Sequence, residues 1–372
     1  MNTTHNNSHS RGEQNSATKA NQINSAPSRI KLGLDVHADS YVVVRQLDGQ
    51  NPQPPQKFAP TEFLDWVRTQ LTLAVSVHSC YEAGAFGYGL HRQLTELGVH
   101  NLVIAPQRLD ERHTGVKTDQ TDARALVLKL DQYVNGNHYA LAVVRVPTPA
   151  EEQRRAVARQ RQQFSHERRR LEAQGRSLLL SQGHRVKGPW WRGKLWQRLN
   201  NGLLPGWLLE LLTRQQALVV AVHEQLLTLT KLLEAAAPAA RPKGLGGLTH
   251  QLLEREVCDW SRFKNRRQVG SYLGLCPRED SSGAHRRQGS ISKHGNPRLR
   301  AWLVELAWRL VRFQPQYVAV RHWQKVLADP QAGAARRKKA IVAIARRLGV
   351  DLWRLATGRA TAAQLGLECL EG

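Results

Sequence analysis

The chain is poor in paired cysteines, in long apolar runs and in acidic side chains. Its four cysteines, Cys80, Cys258, Cys276 and Cys369, are scattered and never spaced as CxxC. That excludes a zinc knuckle and a disulfide framework, and it fits a reducing, cytoplasmic compartment. No apolar run approaches the ~20 residues that cross a bilayer. The opening stretch MNTTHNNSHSRGEQNSATKANQ is polar and lacks the apolar core of a secretion signal, so no membrane partner is expected. Asp and Glu number 30 against 54 Lys and Arg, for a net charge of +24. Such a balance calls for a polyanionic partner, most simply nucleic acid. Arginine outnumbers lysine, which suits bidentate phosphate contacts.

What is present is a core-forming chain of 372 residues, 41% hydrophobic, long enough for two or three domains. No internal repeat is evident. Residues 1–28 are rich in Asn, Ser and Thr and read as a disordered tail. IKLGLDVH (30–37) and DSYVVVRQLDG (39–49) predict a strand hairpin, and NPQPPQ (51–56) a loop. Helical spacing at 61–71, a strand at 73–84, a helix at 86–99, a short strand at 100–106 and a helix from Asp119 to Leu130 follow. YALAVVRVPT (139–148) predicts a last strand. The alternation implies an α/β domain with a mixed sheet over 29–148. Residues 149–240 predict a basic connector of long amphipathic helices, paired like a coiled coil; 151–200 alone hold thirteen Lys and Arg and four acids. Residues 241–358 predict a mostly helical, basic third domain, and 359–372 a tail.

Within VKTDQTDARAL (116–126), Asp119 and Asp122 stand three apart between Lys117 and Arg124. On a helix they share a face and repel. One reading is a helix start, with Thr118 as cap and acids in the first turn. The other is half of a cation site. Asp35 and Glu82 tip the balance, because each closes a predicted strand, and strand ends and helix starts meet at the ligand-binding edge of an open α/β sheet. Four carboxylates there are costly without a cation, and carboxylates are the ligands that Mg²⁺ (or Mn²⁺) prefers. His37, His91, His113 and His285 are not at metal-ligand spacing, and His37, two residues from Asp35, is expected to point elsewhere as side chains alternate along a strand.

GLDVHADSYVVV, YEAGAFGYGL and APQRLDERHTGVKTDQTDARAL resemble the three blocks of the DEDD-type insertion-sequence transposases (insertion-sequence family one-ten), relatives of the Piv-type DNA invertases. The stretch from GLGGLTHQ to LRAWLVELAW resembles the C-terminal transposase domain of the same family. The resemblance spans about 30–130 and 243–350 in one order, which is far more specific than a lone motif. It implies a RuvC-like, RNase H-type first domain with Asp35, Glu82, Asp119 and Asp122 on the family's four acidic positions.

The second half carries Ser281, Ser282, Ser290 and Ser292 among Arg286, Arg287, Lys293, Arg298 and Arg300. Guanidinium groups can hold a scissile phosphate and stabilise charge as it develops. Gly283, Gly289 and Gly295 would let backbone approach DNA. From the residues alone, a solvated basic loop that merely touches phosphates explains the block equally well. The resemblance implies a nucleophilic serine in a Ser-Gly pair after Gly-Leu-x-Pro, here Gly274–Pro277 and then Ser282-Gly283; Ser281 just before it leaves the register open by one, and Ser292 is the second choice. It also implies a homo-oligomer (dimer or tetramer) that joins carboxylates and serine across subunits, and a noncoding bridge RNA that pairs with donor and target DNA. Smaller candidates for nucleic-acid contact are Lys187, Trp190, Trp191 and Arg192, where the tryptophans could stack on bases or pack in a core. RRKKAIVAIARRLGVDLWRL (336–355) predicts a basic amphipathic helix. The alternatives to a transposase are a RuvC-like nuclease or junction resolvase that uses water, and a non-catalytic nucleic-acid-binding relative.

Overall fold

The computed structural model describes residues 27–106, 119–282 and 285–370, and the side chains of 280–286 and 288 are outside that description. Two compact units result, one up to Val146 and one from Pro147 on.

The first unit opens as the expected hairpin. β1 (Arg29–Val36) and β2 (Tyr41–Leu47) pair antiparallel, with the His37 amide donating to the Ser40 carbonyl at 3.0 Å in the turn. β3 (Gln56–Phe58), α1 (Pro60–Leu73), β4 (Ser76–Glu82), α2 (Gly89–Glu96), β5 (His100–Ile104) and α3 (Asp119–Val134) follow. The sheet order is β3-β2-β1-β4-β5; β1, β4 and β5 pair in parallel, and β2 pairs antiparallel with both β1 and β3. This mixed sheet is consistent with an RNase H-like fold. β1 lies at its centre, and Ile30 through Leu34 are all buried, as a strand covered on both faces requires. Leu32 and Leu34 pack on Phe63 and Val67 of α1 and Leu90 and Leu94 of α2. The opposite face of β1 meets α3.

Two expectations change here. β3 emerges from the end of the predicted loop at 51–56. Pro52, Pro54 and Pro55 have no N–H to give, so pairing is confined to three residues at the sheet edge. The strand predicted over 139–148 reduces to one bridge, Ile104 to Val143, flanked by hydrogen bonds Ala105 N to Ala142 O (2.9 Å) and Val144 N to Val103 O (2.8 Å). Its partner β5 stops just before Pro106, so there is little edge left to pair with.

The second unit begins with the two long helices the sequence predicts, α4 (Pro149–Ser181) and, after the short α5 (Gly193–Arg198) and an irregular turn at Leu199–Leu203, α6 (Gly206–Ala235). α4 starts at a capping box: Thr148 Oγ1 accepts from the Glu151 amide at 3.2 Å, and Glu151 Oε2 accepts from the Thr148 amide at 2.8 Å. The helices cross-link through Arg161 Nε to Thr230 Oγ1 (3.0 Å) and Gln215 Nε2 to the Leu171 carbonyl (2.8 Å). Then come α7 (Gly247–Val257), α8 (Arg266–Leu273), the hairpin β6 (Pro277–Ser282) and β7 (His285–Ile291), α9 (Pro297–Phe313), α10 (Val318–Ala328), α11 (Ala334–Ala356) and α12 (Ala362–Leu365). Leu299, Leu303, Leu306 and Leu310 of α9 share a core with Ile341, Ile344 and Leu348 of α11.

The predicted tail at 359–372 is folded as far as Leu370. Leu365 and Leu367 enter the same core, Gln314 Nε2 donates to the Glu368 carbonyl at 2.7 Å, and the Leu370 amide donates to the Arg241 carbonyl at 2.8 Å. The two buried leucines hold the segment in place.

Candidate active site

The carboxylate edge is built by a ladder between β1 and α3. Residues two apart on a strand share a face, as do residues four apart on a helix. Their steps nearly match, at about 6.6 Å and about 6 Å. Lys31 pairs with Asp131 at one end. Gly33 sits in the middle, where an added Cβ would lie 2.2 Å from the Ala123 carbonyl oxygen and 2.5 Å from the Val127 nitrogen. Asp35 meets the first turn of α3 at the other end. There His37 Nε2 lies 3.3 Å from Asp35 Oδ2 and 3.4 Å from Asp119 Oδ2.

Glu82 joins this edge through β4. Gly33 is in register with Cys80, and Cys80 Sγ points at α3, 3.6 Å from the Leu126 carbonyl. Alternation therefore turns half-buried Glu82, the last residue of β4, toward the α3 side of the sheet, as it turns Asp35. Asp122 is half-buried one turn into α3.

Burial raises the Asp35 carboxyl above the usual aspartate range, His37 opposes the rise, and the charges of Asp119 and Asp122 add to it. The site thus collects negative charge in a place that resists it. Asp35, His37 and Asp119 can each aim one donor atom into a common space, all within 4.8 Å of one another. Carboxylate oxygens suit a hard divalent cation, and the imidazole is the less suited donor for Mg²⁺. The residues present therefore fit a cation held chiefly by oxygen. His37 is the site residue that spacing arguments miss. The signal was there, since a residue two past Asp35 on an extended chain returns to the same face.

On the second unit, Ser282 ends β6 with its backbone paired to His285, and Ser281 is paired to Arg286. The side chains of Ser282 and Arg286 lie outside the described residues, as do Gly283 and Lys117 altogether. Arg287 is exposed on β7 and Arg124 is exposed on α3. Ser292 is half-buried just past β7, and its amide donates to the Cys276 carbonyl at 2.7 Å. Lys293 is exposed, in a left-handed conformation at φ +59°.

The other basic residues of this block are engaged within the protein. Arg300 donates to the Leu273 (3.3 Å) and Lys293 (3.2 Å) carbonyls, bracing the turn after Ser292, and Arg298 Nε donates to Gln162 Oε1 at 2.7 Å. Gly295, at φ +147°, lies tightly against protein backbone. An added Cβ would meet the Tyr272 carbonyl oxygen and the Gly274 nitrogen at 2.6 Å. Asn296 caps α9 through the Arg298 (3.0 Å) and Leu299 (3.2 Å) amides.

The tryptophans also pack inward. Trp190 is 0% and Trp191 2% exposed, in a core with Leu171, Leu179 and Leu208. Trp190 Nε1 donates to the Glu172 carbonyl at 2.9 Å. The Trp190 ring lies so close over Gly175 that an added Cβ would be 2.0 Å away. Their faces are covered by protein, which corrects the base-stacking expectation. Lys187 and Arg192 are exposed beside them, with the Arg192 guanidinium 5.0 Å from the Trp191 ring centre. Among the described residues, no helix is long and apolar enough to cross a membrane.

A family model described as "Transposase IS116/IS110/IS902 family" matches residues 239–321. "Putative transposase y4rJ" of Sinorhizobium fredii is 35% identical over 299 residues, covering 73% of this chain and 75% of the relative. "Putative transposase y4qE" of the same organism is 30% identical over 307 residues, covering 75% of each. "Transposase for insertion sequence element IS1328" of Yersinia enterocolitica is 26% identical over 296 residues, covering 76% of this chain and 84% of the relative.

Proposed function

This chain belongs to the IS116/IS110/IS902 transposase family, enzymes that cut and join DNA, and we propose that it does so with the carboxylate edge of its first unit and the serine hairpin of its second. The observation that carries the reading is the meeting of Asp35 and Asp119 around His37 at the end of β1. Asp35, Glu82, Asp119 and Asp122 are the residues that would hold Mg²⁺ or Mn²⁺, which supplies positive charge to the phosphate as negative charge develops.

Ser282 Oγ is the nucleophile. It loses its proton, forms a bond to the scissile phosphorus, and the P–O bond to the departing strand breaks, with the departing oxygen taking up a proton. Joining runs the balance in reverse with the hydroxyl of another strand. Ser292 is the second choice. A noncoding RNA that pairs with donor and target DNA selects the sites, in keeping with the lack of a base-reading motif in the sequence. A dimer or tetramer brings the carboxylates of one subunit to the serine of another.

The test is strand exchange by the purified protein with its copurified RNA. Asp35→Asn and Asp119→Asn are each expected to slow Mg²⁺-dependent exchange by about 100-fold or more, the several kcal/mol a bound cation supplies. Ser282→Ala is expected to lose the protein–DNA adduct and Ser292→Ala to keep it. Full exchange in both aspartate variants overturns the metal reading. Products with free 5′-phosphates and no adduct would instead identify water as the nucleophile.

A further inference from the structure

We propose that the groove between α8, β7 and α11 seats the backbone of a DNA strand. The proposal rests on the chain being a DNA-cutting transposase, and not on which serine attacks. The groove encloses about 1060 Å³. Arg266 and Arg267 at the start of α8, and Lys338, Lys339, Arg346 and Arg347 along α11, line it, and no acidic side chain does. All six are exposed. Arg347 is committed to Asp351, with Nε 2.8 Å from Oδ2. The other five have no acidic partner among the described residues.

The start of α8 points the same way. Its first turn contains no acid and carries Arg266 and Arg267 instead, the reverse of what a helix dipole favours, and a bound polyanion removes that conflict. At the start of α11, Arg336 and Arg337 are already held by Asp329, through an ion pair at 3.8 Å and a bond to its carbonyl at 2.6 Å, which leaves Lys338, Lys339 and Arg346 to face the groove. α11 can present this face because its opposite face, with Ile341, Ile344 and Leu348, is spent on the core.

The floor selects among polyanions. It is apolar, made by Leu275, Ile291, Val342 and Val350. Deoxyribose can lie on such a surface, whereas a ribose 2′-hydroxyl would give up water there unless it reached Ser290 on the β7 wall. One wall is Gly289–Ile291 of β7, and Gly289 leaves room: an added Cβ would come no closer than 3.8 Å to any atom outside its neighbours. β7 pairs with β6, so this wall of the groove belongs to the same hairpin as Ser282.

The test is fluorescence anisotropy of full-length protein, freed of nucleic acid, with a short labelled DNA duplex and an RNA duplex of the same sequence across a KCl series. Lys338→Ala/Lys339→Ala/Arg346→Ala is expected to weaken DNA binding about 10- to 100-fold near physiological salt, and to reduce the slope of log affinity against log salt by about 2–3, one step per lost phosphate contact. The charge-matched control Lys57→Ala/Arg68→Ala/Lys231→Ala is expected to keep the slope. Unchanged DNA affinity and slope, an equal loss in the control, or a loss confined to RNA each overturns the proposal. Exposed-to-alanine changes on a helix preserve its propensity. Should the triple variant melt early, the single Lys339→Glu carries the same comparison.

Discussion

At the scale of single residues, the carboxylate edge is a trade of stability for charge. Asp35 sits partly out of water beside Asp119 and Asp122, and His37 bridges two of the three. Removing one negative charge relieves repulsion. Asp35→Asn is therefore expected to raise the metal-free melting temperature by about 2–4 °C and to abolish any further rise on adding Mg²⁺, whereas the unaltered chain rises with Mg²⁺. Calorimetry with and without chelator decides it; a variant that still responds to Mg²⁺ would remove Asp35 from the cation site. The aspartates were legible because strand-end and helix-start positions are readable from pattern. His37 is passed over by an alternation argument that holds only for the next residue; two positions on, the side chain returns to the Asp35 face.

At the scale of elements, the site depends on how closely α3 lies on β1. Gly33 sets that distance, since any side chain there meets α3 backbone. Gly33→Ala is expected to cost about 2–3 kcal/mol by overpacking, and to lose the Mg²⁺ response as well, because α3 carries Asp119. Chemical denaturation and the same Mg²⁺ titration check both; normal stability with a normal response would show that the contact does not set the site. The periodicity of β1 and α3 was visible in sequence. Their ladder was not, because it needs the register that sets Lys31 on Asp131 and brings Asp35 and Asp119 together around His37, which is a fact of packing. The failed strand at 139–148 has the same origin: its composition favours a strand, but β5 offers it one bridge.

At the scale of the whole molecule, Glu256 ties together segments that the sequence divides into a connector and a third domain. Its carboxylate is 1% exposed. It accepts from Arg159 of α4 at 2.7 and 3.1 Å and from Asn296, the cap of α9, at 2.8 Å. Burial alone would raise its pKa, but the bonds from Arg159 and Asn296 and the nearby Arg298 outweigh it and hold the carboxyl below the usual glutamate range. A depressed folded value means that its contribution to stability is complete above the ordinary glutamate range and is lost as pH falls through the depressed value. The second unit is expected to weaken on acidification, and Glu256→Gln to cost about 2 kcal/mol at neutral pH while flattening that acid dependence. Denaturant titrations at several pH values measure both, and an unchanged acid limb would remove Glu256 from the tie. The boundary expected near 240 is not a break between compact units, because α4 is bound to α7 and α9 through this residue.

The sequence alone determined the charge, the alternation of strands and helices in the first unit, the paired long helices of the second, and the family. These rest on composition, periodicity and ordered motifs, all of which are local along the chain. The tertiary structure decided the rest. It turned Trp190 and Trp191 inward, gave Arg298 and Arg300 protein partners, folded 359–370 into the core, and placed His37 between two carboxylates. Each of those outcomes depends on which distant segment arrives opposite a residue: local alternation puts His37 on the Asp35 face, but the arrival of Asp119, like the other burials and pairings across that distance, carries no local signature.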